Sequence, residues 1–333
     1  MKENEKIIAL DSLRGIAALM VCIFHFTNDT TFLPSDTILH LIGKNGWSGV
    51  QLFFLISGFV IPYSLHKVDY SYQNCFYLSK RFLARRFIRI EIPYFVSILL
   101  VLFVGYLYAI SPYYKGNGFE LDFENIFLHL FYLNSFFDKP FLSSVYWTLG
   151  IEFQFYLLMI FIFPLLIKRS IRFIFILLFW YGLSFVFADV HLIFGYMPYF
   201  GLGILLFRNY IKVEKQNYFY FTAILLLSVS LFESRVSFFV VLIAFLIVYF
   251  KPNFSFWGSA FLGTISYSLY LIHLSIGGRM ISLTALFTQN IYFRIISVLI
   301  IVLICICASY IYYLLIEKPS LNLAKKTHEQ KNK

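Results

Sequence analysis

The sequence predicts an all-α protein, a polytopic bundle of transmembrane helices with about ten spans and both termini in the cytoplasm. Three observations carry that prediction. Of the 333 residues, 60% are hydrophobic and only 13% are charged, whereas a soluble domain is roughly one quarter charged. Apolar runs approaching the length needed to cross a bilayer recur along the whole chain. Lys and Arg gather on alternate connecting segments, the bias that sets orientation in a membrane.

The apolar runs lie near 7–27, 47–66, 88–110, 146–167, 171–188, 192–208, 218–232, 236–250, 260–284 and 292–316. The first is read as a retained helix and not a cleavable signal, because Asp11 and Arg14 interrupt it and no A-x-A site follows. The seventh and eighth, at about 15 residues each, are short of the usual span and fit a broken pair or a re-entrant element as well. A further stretch, 123–137, carries Glu124, His129 and Asn134 and reads as interfacial.

With the N-terminus placed inside, twenty of the 27 Lys and Arg fall on inside segments, six fall outside, and Arg14 lies within the first helix. That distribution accounts for the net charge of +10 without a nucleic-acid partner. The four cysteines, Cys22, Cys75, Cys305 and Cys307, show neither zinc spacing nor a disulfide framework and are read as small hydrophobes. No metal site is expected. Phosphate-loop, zinc-hydrolase and nucleophile-elbow motifs are all missing from the sequence.

An ionisable side chain inside a span costs roughly 2.5–3.5 kcal/mol, so each one is a candidate site. Asp11 and Arg14, three residues apart, share a helix face. They either neutralise one another or leave Arg14 to hold an anionic group in a hydrated cavity. His25 follows Arg14 by eleven residues, about 16 Å along the same stripe. It is a candidate general base, or an interfacial polar residue. Glu152 falls at a similar expected depth, where a carboxylate needs a partner, a proton or water. His25 is one possible partner, another polar helix face a second. His273 is a second candidate base or a structural histidine. Arg81, Arg85 and Arg89 form one helical row, with Arg86 and Arg89 on a neighbouring face. That cluster suits anionic lipid or a phosphate-binding site. Glu317-Lys318-Pro319 is expected to close the last helix at the cytoplasmic surface. Trp147, Tyr146 and Tyr156 are candidate stacking faces for a sugar.

Six blocks, in order, resemble the acyltransferase-3 family of membrane-bound acyltransferases. They are Leu10–Ala18 with His25 eleven residues after Arg14, Gly49–Phe59, Arg86-Phe87-Ile88-Arg89 with Pro93, Tyr146–Leu149 with Glu152, Phe155 and Tyr156, Ser266–Leu271 with His273, and Ile316–Pro319. Ser12, Gln51, Phe153 and Ile272 depart from the residues common in these blocks. The resemblance covers residues 10–319 and implies an acyltransferase domain over 1–320, followed by a basic cytoplasmic tail over 321–333. It implies transfer of an acyl group, most often acetyl, from cytoplasmic acyl-CoA to a hydroxyl of an envelope glycan or lipid-linked saccharide at the inner membrane. Acetyl-CoA is then a co-substrate, and no permanently bound cofactor is expected.

On that resemblance His25 and Glu152 are the expected catalytic residues, and Arg14, Arg86 and Arg89 bind the acyl donor. Asp11, Trp147, Tyr156, Tyr270 and His273 support them. The coenzyme phosphates would dock at Arg86 and Arg89 and the pantetheine arm would pass Arg14 to bring the thioester to His25. A glycan or lipid-linked sugar transporter is the competing reading, opposed by the lack of repeat symmetry between the halves.

Overall fold

A computed structural model describes residues 7–68, 70–71, 73–113, 119–168, 172–186, 192–213 and 215–329. Lys2, Lys6, Lys115, Arg169, Lys331 and Lys333 of the charge distribution lie outside the described residues. The described residues form no strand. Fifteen α-helices follow in order: α1 Ile8–Thr27, α2 Ile38–Gly43, α3 Gly49–His66, α4 Cys75–Arg86, α5 Ile92–Ala109, α6 Phe123–Leu130, α7 Trp147–Leu166 and α8 Arg172–Gly182, then α9 Met197–Tyr210, α10 Gln216–Glu233, α11 Arg235–Phe250, α12 Ser259–His273, α13 Arg279–Phe287, α14 Ile291–Tyr312 and α15 Lys318–Glu329. Three π turns, Phe87–Glu91, Leu274–Gly278 and Tyr313–Glu317, join α4 to α5, α12 to α13 and α14 to α15 without breaking the helix.

Six of the resulting helical stretches are long and apolar enough to cross a membrane: Ile8–Thr27, Ile38–His66, Phe76–Ala109, Trp147–Leu166, Ser259–Phe287 and Ile291–Lys326. The four remaining apolar runs are helical but shorter, as α8 to α11. Large apolar side chains stand exposed over the surface, among them Phe232, Phe185, Tyr292 and Leu303. Bare apolar area of this kind marks a lipid or protein contact.

The chain divides into two compact units. The first comprises residues 1–17, 47–83 and 151–264. Its centre is α9 laid against α3. Twelve of the fourteen α9 residues are buried, so this helix meets protein and its 14 residues need not match the bilayer. Two glycines allow the approach. A Cβ on Gly58 would sit 2.2 Å from the Phe200 carbonyl oxygen, and one on Gly203 would sit 2.0 Å from that of Leu55. Small residues facing one another are how membrane helices gain close packing without a hydrophobic driving force. Phe200 stacks between Phe54 at 4.8 Å and Phe155 at 4.1 Å. At the other end of α9, the fully buried Arg208 donates to the carbonyls of Leu166 and Lys168 and lies over the Phe173 ring at 4.4 Å. It thereby satisfies C-terminal carbonyls of α7 that no helical N–H reaches.

The second unit comprises residues 18–46, 84–150 and 265–333. The wide turns organise it. A π turn shifts its backbone bonding by one residue, and Pro93 removes a further N–H donor. Side-chain hydroxyls cover the carbonyls left over: Tyr267 donates to Ile90 O at 2.8 Å, Ser320 to Ile88 O and Tyr312 to Pro93 O. The turns also carry two buried carboxylates. Glu91 accepts from Tyr132 Oη at 2.8 Å, and Glu317 accepts from Ser268 Oγ at 2.6 Å. Glu317-Lys318-Pro319 therefore does not end the helix. The π turn carries the chain into α15, with Pro319 as its second residue inside the continuous helix.

The stretch expected to be interfacial folds as a polar cap inside this unit. Asp122 caps α6 through Asn125 N at 2.9 Å, and Asn125 Nδ2 donates to Pro140 O at 3.1 Å. The fully buried His129 donates from Nδ1 to Asn125 O at 2.8 Å and accepts on Nε2 from Leu142 N at 3.0 Å. Arg294, also buried, donates to the carbonyls of Thr31, Phe32 and Thr288 and to Gln289 Oε1, tying the loop after α1 to the start of α14.

Candidate active site

The histidine expected from the first helix meets the one expected from the ninth apolar run. His25 and His273 both lie in the second unit, with ring centroids 5.4 Å apart. His273 is fully buried. Its Nδ1 lies 2.9 Å from Leu269 O and 3.0 Å from Tyr270 O. Two carbonyls can only accept, so Nδ1 carries the proton and Nε2 keeps its lone pair. That buried Nε2 has no hydrogen-bond partner among the described residues. His25 is half-buried, with Phe24 edge-on at 5.2 Å, and neither of its ring nitrogens is hydrogen-bonded within the described residues. Two imidazoles, each with a ring nitrogen that no described residue engages, stand side by side, a pairing suited to taking a proton from an incoming hydroxyl.

The backbone makes room for this pair. Directly after His273 comes the π turn Leu274–Gly278. Within it, a Cβ on Gly277 would lie 2.1 Å from the Phe26 ring and 2.8 Å from Cys305 Sγ. Glycine alone lets the widened turn press against α1 and α14. Phe26 in turn packs edge-on to His273 at 6.0 Å.

Arg14 lies on the same helix as His25, eleven residues earlier and in the first unit. It is half-buried, and of the two alternatives for Asp11 and Arg14 the mutual ion pair is not formed: among the described residues Arg14 has no ionic partner. Asp11 is occupied otherwise, and its backbone runs so close to α12 that a Cβ on Gly263 would meet Asp11 O at 2.5 Å. Ser12, where glycine is common, donates to Phe254 O at 3.1 Å.

Glu152 in the first unit is held by two hydroxyls on the same oxygen. Ser57 Oγ donates to Oε1 at 3.0 Å and Tyr156 Oη at 2.6 Å. Both bonds fall on Oε1, and no bond to Oε2 is found among the described residues. Ser57 escaped the sequence reading although it stands in the Gly49–Phe59 block, because no local periodicity links it to Glu152 on a distant segment. Tyr156 thus supports Glu152 with its hydroxyl and does not offer a ring to a sugar, being 2% exposed. Tyr146 is likewise unable to stack on a sugar: it is fully buried, edge-on to Tyr94, and its hydroxyl meets Ser97 Oγ at 2.9 Å. Trp147 is half-buried. Tyr270 Oη lies 2.6 Å from Thr148 Oγ1 and donates to Val145 O at 3.1 Å, so it fastens α12 to the start of α7.

Arg86 and Arg89 are half-buried at the end of α4 and within the first π turn, and both engage neighbouring groups. The π turn displaces Arg89 from the regular four-residue row with Arg81 and Arg85 that a continuous α-helix would give. No group of three or more His, Cys, Asp or Glu among the described residues is arranged to hold a metal ion.

Comparison with known proteins gives two matches. The acyltransferase-3 family model, described as an acyltransferase domain, fits residues 7–314. A protein of Acidianus two-tailed virus named "Putative acetyltransferase ORF330" is 28% identical over 292 residues, spanning 79% of this chain and 81% of that protein. No solved structure matches the chain.

Proposed function

The chain belongs to the acyltransferase-3 family, and from that premise we propose that it is a multi-pass membrane O-acyltransferase that moves an acetyl group from cytoplasmic acetyl-CoA to a hydroxyl of an envelope glycan or lipid-linked saccharide. The observation that carries this reading is the His25–His273 pair, with His25 open to an incoming group and neither of its nitrogens engaged. In the proposed reaction His25 takes the proton from the acceptor hydroxyl as its oxygen attacks the thioester carbonyl. The carbon–sulfur bond breaks, the coenzyme thiolate leaves, and the proton passes from the imidazole to that sulfur. Glu152 supplies a fixed carboxylate for a sugar hydroxyl or a proton. Arg14 holds an anionic or carbonyl group of the donor, and Arg86 with Arg89 takes its phosphates.

The proposed topology has ten crossings with both ends cytoplasmic, in the inner membrane. The loop-charge bias supports it, and so do the six stretches long and apolar enough to cross a membrane, each overlapping one of the apolar runs. Proteoliposomes supplied with radiolabelled acetyl-CoA and glycan acceptor test the reading. Label should appear as an alkali-labile ester on the acceptor and should vanish with His25→Ala. Transfer at the parental rate by that variant would remove His25 from the chemistry. A deletion strain separates the enzyme from a transporter: loss of ester with normal glycan quantity supports acyl transfer, whereas loss of surface glycan supports transport.

A further inference from the structure

Within the second unit the structure contains an open cavity of about 220 Å³, lined in part by the turn that follows His273 in the chain. Its wall is unusually hydroxylated for a helical membrane protein. Ser143, Ser144, Ser275 and Ser282 line it, together with Gly278 and Arg279. Ser143 and Ser275 are each 7% exposed, and their Oγ atoms are buried with no hydrogen-bond partner among the described residues. A hydroxyl buried without a partner costs on the order of 1–3 kcal/mol. Both residues line the cavity, and a ligand that drew these hydroxyls out of burial would relieve that cost. Arg279 stands exposed beside them with its guanidinium 4.9 Å from the Tyr108 ring centre, and it forms no ion pair among the described residues. The Tyr108 face steadies the cation without neutralising it.

We propose that this cavity is the acceptor subsite and that it takes an anionic saccharide, with ring hydroxyls on Ser143 and Ser275 and a carboxylate or phosphate on Arg279. The inference rests on the acyltransferase reading above and deepens it by naming the acceptor's chemistry. Size separates the occupants. Sites for drug-sized ligands run to about 300–1,000 Å³, so this one accommodates a single sugar ring and excludes the nucleotide end of the coenzyme. Charge separates them further, because an arginine fork gives two parallel bonds to carboxylate or phosphate and none to a neutral hexose of equal strength. The π turn Leu274–Gly278 follows His273 directly in the chain, so part of the cavity wall and one member of the histidine pair are adjacent residues.

The test uses the full-length chain in detergent without acyl-CoA, with methyl glucuronide, methyl glucoside 6-phosphate and methyl glucoside as probes and ligand-observed NMR as the readout. The two anionic glycosides should bind about tenfold tighter than the neutral one. Arg279→Gln should abolish that preference while leaving methyl glucoside binding unchanged, and Arg279→Lys should restore part of it. Ser143→Ala combined with Ser275→Ala should weaken all three several-fold. Variants are compared only at matched thermal midpoints, so a folding defect is not read as lost binding. Equal binding of the three glycosides, or a preference that survives Arg279→Gln, overturns the proposal. Displacement of methyl glucuronide by short-chain phosphatidylglycerol at lower concentration than by methyl glucoside 6-phosphate also overturns it, assigning the cavity to a lipid headgroup. Binding is read without turnover, so its failure leaves the acyl-transfer assay untouched, and failure of that assay leaves the binding result standing.

Discussion

His273 turns its protonated Nδ1 toward Leu269 O and Tyr270 O and keeps the opposite nitrogen on the side of the ring that has no partner, with the His25 ring 5.4 Å away. The tautomer of the buried ring is thus set by its own helix. Replacing His25 by alanine should lower acetyl transfer by about 100- to 10,000-fold, the usual worth of a positioned base. Replacing His273 by glutamine should reduce kcat with little change in the donor KM, because no donor contact is lost. Single-turnover transfer with labelled acetyl-CoA checks both.

Glu152→Gln keeps an oxygen for Ser57 and Tyr156 but removes the charge. The variant should fold with an unchanged thermal midpoint and lose about tenfold or more of its turnover. Tyr156→Phe removes one of two donors to Oε1 and should cost less. A midpoint that falls by many degrees in Glu152→Gln would reassign the residue to stability.

Paired substitution of Arg86 and Arg89 by alanine should raise the acetyl-CoA KM by about tenfold while leaving the acceptor KM in place. An unchanged donor KM would put the coenzyme phosphates elsewhere.

Part of this arrangement was legible in the sequence. Arg14 and His25 share one helix, so their stripe followed from helical spacing. Each apolar run likewise contains a helix among its described residues, though only six stretches are long and apolar enough to cross a membrane. Span length did not follow for α9, because a helix enclosed by protein is freed from the thickness of the bilayer, and hydropathy cannot separate that burial from lipid contact. The π turns were invisible as well. The Gly277-Gly278 pair lies within one turn but does not by itself distinguish a widened turn from a regular one, and the hydroxyls of Tyr267 and Ser320 that reach the first turn come from other segments. For the same reason the pairing of Ser57 with Glu152 could not be read from either stretch alone, nor could the enclosure by Ser97 and Tyr94 that removes Tyr146 from the candidate stacking faces.

Gly203→Ala should destabilise the first unit by about 1–3 kcal/mol, because its Cβ would be driven into the Leu55 carbonyl, a backbone atom that cannot swing aside. Thermal unfolding in detergent reads this directly. Gly195→Ala, where an added Cβ meets nothing within 4 Å, is the control and should be near neutral.

Burial pushes the His129 pKa below that of an exposed imidazole, opposed in part by the bond to Asn125. The unfolded chain takes up its proton near pH 6.5, the folded chain only at lower pH. Below the unfolded value the unfolded state therefore binds more protons, and stability falls as the pH falls. The thermal midpoint should drop between about pH 7 and about pH 5, and His129→Gln should flatten that slope. The protonated ring would have to give up its Leu142 N–H bond, so the acid form should also loosen the segment around 122–142 in hydrogen exchange.

A widened turn amounts to one surplus residue absorbed in the middle of a helix. Removing Ile276 would let the backbone close into ordinary α-helical bonding, so the membrane segment should survive. Because the wide turn takes up the surplus residue, Arg279 and Ser282 would keep their side of the axis. What would change is the turn itself, which presses Gly277 against Phe26 and Cys305 and places Ser275 on the cavity wall. A single-codon deletion at this point would leave a protein that still inserts and still reacts with the coenzyme, yet has a reshaped sugar cavity.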